Sequence, residues 1–376
     1  MTAATQPTSA ATLPQPRANI TELKPYIPGR PIAEVMRAYN LAEVVKLASN
    51  ENPFGPPPGV QDAVAATLDE LWLYPDNDAA DLTAKLADFH GLETNQLVLT
   101  AGSSHALELI ARAYAGPGDD VVFSAHGFIC YRLFTKAVGA TAVVVPEIDL
   151  TADVSGLLAA ITPRTKILFL ANPNNPTGTL LDEASLRRLL DGVPSHVLVV
   201  LDEAYAEYAQ SEGAVDGMTL LAHYPNLVVT RTFSKAYGLA AVRFGYGAGH
   251  PAVIDMLRRV RPPFSVSTPA VAAATAALAG QSHIQHAVAH NLAEKKRLSQ
   301  AYTELGVLAC PSYGNFLLLD IAPTGQTPAA LFEAFQRRGV IVRPVAEYGL
   351  TTHLRVSIGL RQENDSALAL FRETLR

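Results

Sequence analysis

Between Arg231 and Gly247 the chain reads RTFSKAYGLAAVRFGYG, which sets one lysine between a strand-like run and a glycine-punctuated segment. Thr232 and Ser234 place hydroxyls beside Lys235, and Arg243 follows eight residues later. Cationic neighbours favour the neutral form of an amine, which is the form a Schiff-base nucleophile needs. The hydroxyls and the guanidinium suit a phosphate, which arginine can meet with paired hydrogen bonds. Taken singly, a lysine beside a serine is usually a solvated surface charge, so the reading depends on what accompanies it.

Three further stretches carry chemistry. In AGSSHALELIARA, Gly102, Ser103 and Ser104 open a helix, and the free N–H groups of that end, with the dipole and two hydroxyls, can bind an anion; many helices begin this way and bind nothing. In ANPNNPTGTLL, two prolines and a turn hold Asn175 at a strand's carboxyl end, where open α/β sheets bind ligands. A plain turn would not need an asparagine doublet. In VLVVLDEAYAEY, Asp202 closes an apolar strand, where an ionised carboxylate calls for a cationic partner or a ligand atom, and Tyr205 reaches the same crevice.

The elements that must position these groups are legible as short apolar runs, LVLT, VVFS, TAVVV, KILFLA, VLVVLDEAY and LVVT, separated by segments of helical spacing such as Ala106, Leu107, Ile110, Ala111 and Tyr114. That alternation implies crossover connections and a mainly parallel sheet covered on both faces, an α/β domain. A long helix containing HIQHAVAHNLAEKKRLSQAYTEL then leads to strands near NFLLLD, VIVRP and HLRVSI, which predict a smaller α+β domain. The expected division is a flexible tail over 1–20, an N-terminal segment over 21–50 packed on the small domain, a large domain over 51–260, and a linking helix with the small domain over 261–376.

The 376 residues, 49% hydrophobic and 17% charged, suit two globular domains. A net charge of −6 without a basic cluster argues against a nucleic-acid partner, and no apolar run is long enough to span a bilayer. Two cysteines, Cys130 and Cys310, without metal-ligand spacing, indicate neither a disulfide framework nor a metal site and fit a reducing cytoplasm. The opening MTAATQPTSAATLPQPR lacks the apolar centre of a secretory signal; a transit peptide is the weaker alternative, since Arg17 is its only basic residue.

Taken together, LASNENPFGP, YPD, GSSHALELIARA, NPNNPTG, DEAYAEY, RTFSKAYGLAAVRFGYG, RPPFSV and YGLTTHLRVSIG resemble the fold type I pyridoxal-phosphate enzymes, and within them the histidinol-phosphate aminotransferase family. The resemblance covers nearly the whole chain after the tail. It implies a mainly parallel seven-stranded sheet, a homodimer and pyridoxal 5'-phosphate as cofactor. By that likeness Lys235 would link to the cofactor, Asp202 would pair with its ring nitrogen, and Asn175 and Tyr205 would hold its phenolic oxygen. Gly102, Ser103, Ser104, Thr232, Ser234 and Arg243 would cradle its phosphate, Phe128 would stack on its ring, and Tyr74 would reach the phosphate in the neighbouring subunit. Arg355, Arg343, Asn52 and Tyr26 would meet the substrate, with Arg343 open to a second reading as a surface residue. Tyr74 could equally sit in a satisfied core.

The implied reaction moves an amino group from L-histidinol phosphate to 2-oxoglutarate in two half-reactions, giving imidazole acetol phosphate and glutamate with ping-pong kinetics. Two arginines suit a phosphate dianion, whereas an aromatic amino acid would bring only a carboxylate, so aromatic transamination is the runner-up. A phosphothreonine decarboxylase is more distant. A non-catalytic cofactor-binding regulatory module is the reading from another class, and no helix-turn-helix or basic segment precedes the fold. One departure stands out: SAHGFICY has His126 and Gly127 where the family commonly has Pro-Thr-aromatic. His126 is either a structural histidine, the commoner role, or a contact to substrate.

Overall fold

Runs of Val, Leu and Ile too short for helices, bounded by turn residues, become the strands of this protein. The computed structural model describes residues 14–23 and 29–374. Its strands are β1 (Val45–Lys46), β2 (Leu97–Thr100), β3 (Asp120–Ser124), β4 (Thr141–Val145), β5 (Thr165–Ala171), β6 (Leu198–Asp202), β7 (Leu227–Thr232), β8 (Gly245–Gly249), β9 (Phe316–Asp320), β10 (Val340–Ile341), β11 (Arg343–Pro344) and β12 (His353–Ser357).

Seven of them form one sheet in the order β2-β8-β7-β6-β5-β3-β4, and only β8 runs against its neighbours. Successive side chains point to opposite faces, and here both faces are covered. Leu168, Leu170, Val199 and Leu201 pack with Leu186 and Leu189 of the helix Glu183–Gly192 and with Ala273 and Ala277 of the helix Thr268–Ala279. Ile167, Phe169, Leu198 and Val200 pack on the other side with Leu107 and Ile110 of the helix Ser103–Tyr114 and Leu257 of the helix Pro251–Val260. Each such Leu, Ile or Phe contributes about 1.5–3 kcal/mol by leaving water.

The 24-residue helix Gln281–Glu304 leads into a second core, where Leu298 and Tyr302 meet Leu317, Leu354, Phe335 and Phe371 around the antiparallel sheet β11-β12-β9. The run VIVRP, read as one strand from sequence, is two: β10 pairs in parallel with β1 of the N-terminal segment, and β11 pairs with β12. The pairing breaks at Val342, which is buried in the second core between β10 and β11. Of the segment expected to be a tail, residues 1–13 lie outside the described residues. Arg17 and Asn19 donate hydrogen bonds to the carbonyls of Ala137 and Lys136. Among the described residues no helix is long and apolar enough to cross a membrane.

Candidate active site

The strand order brings several chain segments to one edge of the large sheet. Thr100 and Thr232 both pair with Gly245, so the ends of β2 and β7 flank the same glycine. A side chain at Gly245 would come within 2.5 Å of the backbone nitrogen of Ser103, so only glycine lets the helix start there. Gly102 has φ +86° and a side chain on it would meet Arg243 Nη2 at 2.5 Å. The open N-terminus of the helix Ser103–Tyr114, Ser234 and Arg243 thereby converge, with Arg243 Nη1 3.1 Å from Ser234 Oγ. Ser103, Ser104, Thr232, Ser234 and Arg243 line one end of a cleft, a set of N–H, hydroxyl and guanidinium donors that fits a phosphate.

Asp202, Asn175, Tyr205, Phe128 and Lys235 line the rest of the cleft, which encloses about 600 Å³ counting its open mouth, the scale of a small-molecule site. Asp202 is only 4% exposed. The sequence calls for a cationic partner or a ligand atom here; within the protein the Tyr131 hydroxyl donates to Oδ2 and the Thr230 hydroxyl to Oδ1, each at 3.0 Å, which leaves the ligand atom as the open alternative. Burial raises its carboxyl to about 6 against these hydrogen bonds. Neutral donors satisfy the oxygens without neutralising the charge, so the site favours a cation brought by a ligand.

The Lys235 amine donates to the carbonyl of Ser49 at 2.9 Å. It is lowered to about 7, chiefly by burial, then by the charge of Arg355 and, less, of Arg243, with Glu51 opposing. The sequence reading credited neighbouring cations first; desolvation is the larger cause, and the leading cation comes from β12, 120 residues away in the chain.

Arg355 donates from Nη2 to the carbonyl of Ala48 at 2.6 Å and from Nη1 to Asn175 Oδ1 at 2.5 Å. Its Nε is buried without a hydrogen-bond partner among the described residues. Arg343 stands directly across from it in the β11–β12 pair and is ion-paired with Glu347 at 2.6 Å. The Arg343 side chain is 14% exposed, partly buried at the edge of the small sheet. Neither Arg343 nor Arg355 lines the cleft itself, and Arg355 meets it through Asn175; buried Asn52 does not line it either, but donates to the Ala236 carbonyl and accepts from the Phe54 N–H. Tyr26 lies outside the described residues. Tyr74 is away from the cleft, 81% exposed and stacked on Phe264 at 4.7 Å, beside exposed Leu71 and Trp72. His126 is held by Glu147, its Nδ1 2.8 Å from Oε2, and its carbonyl accepts from Asn174.

Sequence reasoning missed Tyr131, Thr230 and the strap Ala48–Ser49–Asn50, which touches Arg355, Lys235 and Tyr205 in turn. Two of the three strap contacts use backbone carbonyls, which no residue type announces. The asparagine is the one available signal: Asn50 has φ +57°, a conformation asparagine tolerates better than most residues.

A family model described as aminotransferase class I and II matches residues 42–370. Histidinol-phosphate aminotransferase 2 of Pseudomonas fluorescens (strain Pf0-1) is 49% identical over 95% of this chain and 96% of its own length, and the protein of the same description from Pseudomonas aeruginosa is 46% identical over 93% and 94%. Among solved structures, the histidinol-phosphate aminotransferase from Sinorhizobium meliloti in complex with pyridoxal-5'-phosphate aligns with a TM-score of 0.87 at 29% identity, covering 97% of this chain and 99% of that one.

Proposed function

The chain belongs to the class I and II aminotransferases, and from that premise we propose that it transfers the amino group of L-histidinol phosphate to 2-oxoglutarate with pyridoxal 5'-phosphate as cofactor. The observation that carries the substrate assignment is the pair Arg343 and Arg355, in register on adjacent strands, with Arg355 Nε buried and unpartnered. A phosphate dianion can take up more of their donors than a carboxylate. The relatives' names point the same way.

The cradle of Ser103, Ser104, Thr232, Ser234 and Arg243, with Gly102 packed against Arg243, fits the cofactor's phosphate, and Asp202 fits its ring nitrogen. When bound, the cofactor supplies an electron sink for the donor's amine-bearing carbon. Asp202, held by Tyr131 and Thr230, keeps a proton on the facing nitrogen. Asn175 and Tyr205 would hold the phenolic oxygen, and Phe128 would stack on the ring. Lys235, whose amine loses its proton near neutrality, would accept the proton of the donor's amine-bearing carbon at Nζ and serve as the proton carrier for the transfer. Arg355, with Arg343 beside it, aligns the donor by its anion.

In this reading the active unit is a cytoplasmic homodimer in which Tyr74 reaches the partner's phosphate cradle; its exposure beside Leu71 and Trp72 supports a covered surface. The large domain spans about 51–260 and the small one 261–376, with 21–50 packed on the small domain through β1. Spectral titration of the holoenzyme with L-histidinol phosphate and, separately, L-phenylalanine tests the substrate. Conversion at far lower histidinol phosphate concentration, with ping-pong kinetics, supports the assignment. Preference for phenylalanine makes the protein an aromatic aminotransferase.

A further inference from the structure

Asn50 is 1% exposed and lies between two cores. Ser357, two residues beyond Arg355 on β12, accepts the backbone N–H of Asn50 at Oγ and donates its own proton to Asn50 Oδ1, both at 2.8 Å. The backbone carbonyl of Asn50 accepts from Asn315 Nδ2 at 3.0 Å. With Oδ1 committed to Ser357, the amide has one orientation, and Nδ2 faces Tyr205, to whose hydroxyl oxygen it donates at 2.9 Å. A hydroxyl that accepts a hydrogen bond on one side carries its own proton on another. Tyr205 also lines the cleft.

We infer that Asn50 is a positioning residue, which directs the Tyr205 hydroxyl proton away from the strap and into the cleft. The inference rests on the reading above that Tyr205 donates to the cofactor's phenolic oxygen, and it adds the group that makes Tyr205 a donor there. It also ties that donor to the strand carrying Arg355, because Ser357 sets the Asn50 amide.

The test is a pH titration of the visible absorbance of the bound cofactor in the holoenzyme. A donor at the phenolic oxygen favours its anionic form, so losing the donor lets the linked nitrogen keep its proton to higher pH. Tyr205→Phe is the reference and should move the midpoint upward. Asn50→Gly retains the left-handed backbone while removing the amide, and should move it in the same direction by about half a pH unit or more. Asn50→Asp should move it further, because a carboxylate accepts the tyrosine proton and turns it out of the cleft. Cofactor stoichiometry and far-UV dichroism establish that the variants are folded and loaded. Wild-type midpoints for both Asn50 variants alongside a shifted Tyr205→Phe overturn the inference and leave the Tyr205 reading intact; an unshifted Tyr205→Phe overturns both. Should Asn50→Gly not fold, Ser357→Ala frees the amide to turn and should give a smaller upward shift, and no shift overturns the inference.

Discussion

Arg355 Nη1 and Asn175 Oδ1 lie 2.5 Å apart, joining β12 of the small sheet to the turn after β5 of the large one. The residue proposed to grip the substrate's anion thus already touches one proposed to hold the cofactor's ring. An anion arriving at Arg355 competes with Asn175 and Ala48 for the same guanidinium, and Nε is the donor it meets without competition.

Arg355→Lys removes the planar fork and leaves a point charge. We expect the KM for L-histidinol phosphate to rise on the order of a hundredfold, about 2–3 kcal/mol, with a smaller fall in kcat. Steady-state kinetics on the variant check this; an unchanged KM would remove Arg355 from the substrate site.

Lys235 must be neutral to attack a carbonyl. Because its amine is lowered to about 7, capture of pyridoxal phosphate by the apoprotein should speed up with rising pH until about 7 and level off above it, rather than near the ordinary lysine value. Stopped-flow absorbance measures the rate. Lys235→Ala should abolish transamination and the lysine-linked absorbance while the fold persists, and a variant that transaminates at the wild-type rate would refute the assignment.

Burial raises the folded carboxyl of Asp202 to about 6, so between the unfolded value near 4 and this one the folded state binds more protons. Its contribution therefore favours folding below pH 4, declines as pH rises through 6, and is a cost at pH 8. Asp202→Asn should hold or raise the unfolding free energy of the apoprotein at pH 8, by about 1–3 kcal/mol at most, while activity falls by orders of magnitude. A clear loss of apoprotein stability at pH 8 would contradict the burial argument.

If Tyr74 serves the neighbouring site, Lys235→Ala and Tyr74→Ala damage different halves of each composite site. Mixing the two inactive or weakened variants under exchange should then restore activity, since half of the sites in a mixed dimer are intact. Light scattering reports assembly, and absence of recovery in demonstrated mixed dimers would place Tyr74 elsewhere.

Gly102→Ala should weaken cofactor retention, because its φ of +86° is unfavourable for alanine and the added carbon would push Arg243 Nη2 from 2.5 Å. Equilibrium dialysis of the cofactor checks it; unchanged retention would mean that Arg243 moves without consequence.

Most of the large sheet was readable because each central strand is a short, doubly buried apolar run; Asp202 closes β6, and the turn after β5 carries Asn175 within a few residues of the strand. Local order thus sets which groups reach the sheet's edge. The antiparallel direction of β8 was not readable: GYGAG has glycines where strands prefer branched residues, and its place is decided by the close approach of Ser103.

By itself, then, the sequence determined the α/β architecture, the strand-end chemistry and the family resemblance, since these depend on residue type and short spacing. Tertiary structure alone decided that burial more than charge lowers Lys235, that Tyr131 rather than a cation holds Asp202, that Arg343 and Arg355 stand side by side, and that Asn50 faces Tyr205. The contacts of Tyr131 with Asp202 and of Asn50 with Tyr205 join residues 71 and 155 positions apart in the chain. Strand order and the docking of one core on the other create them, and no periodicity of side chains encodes either.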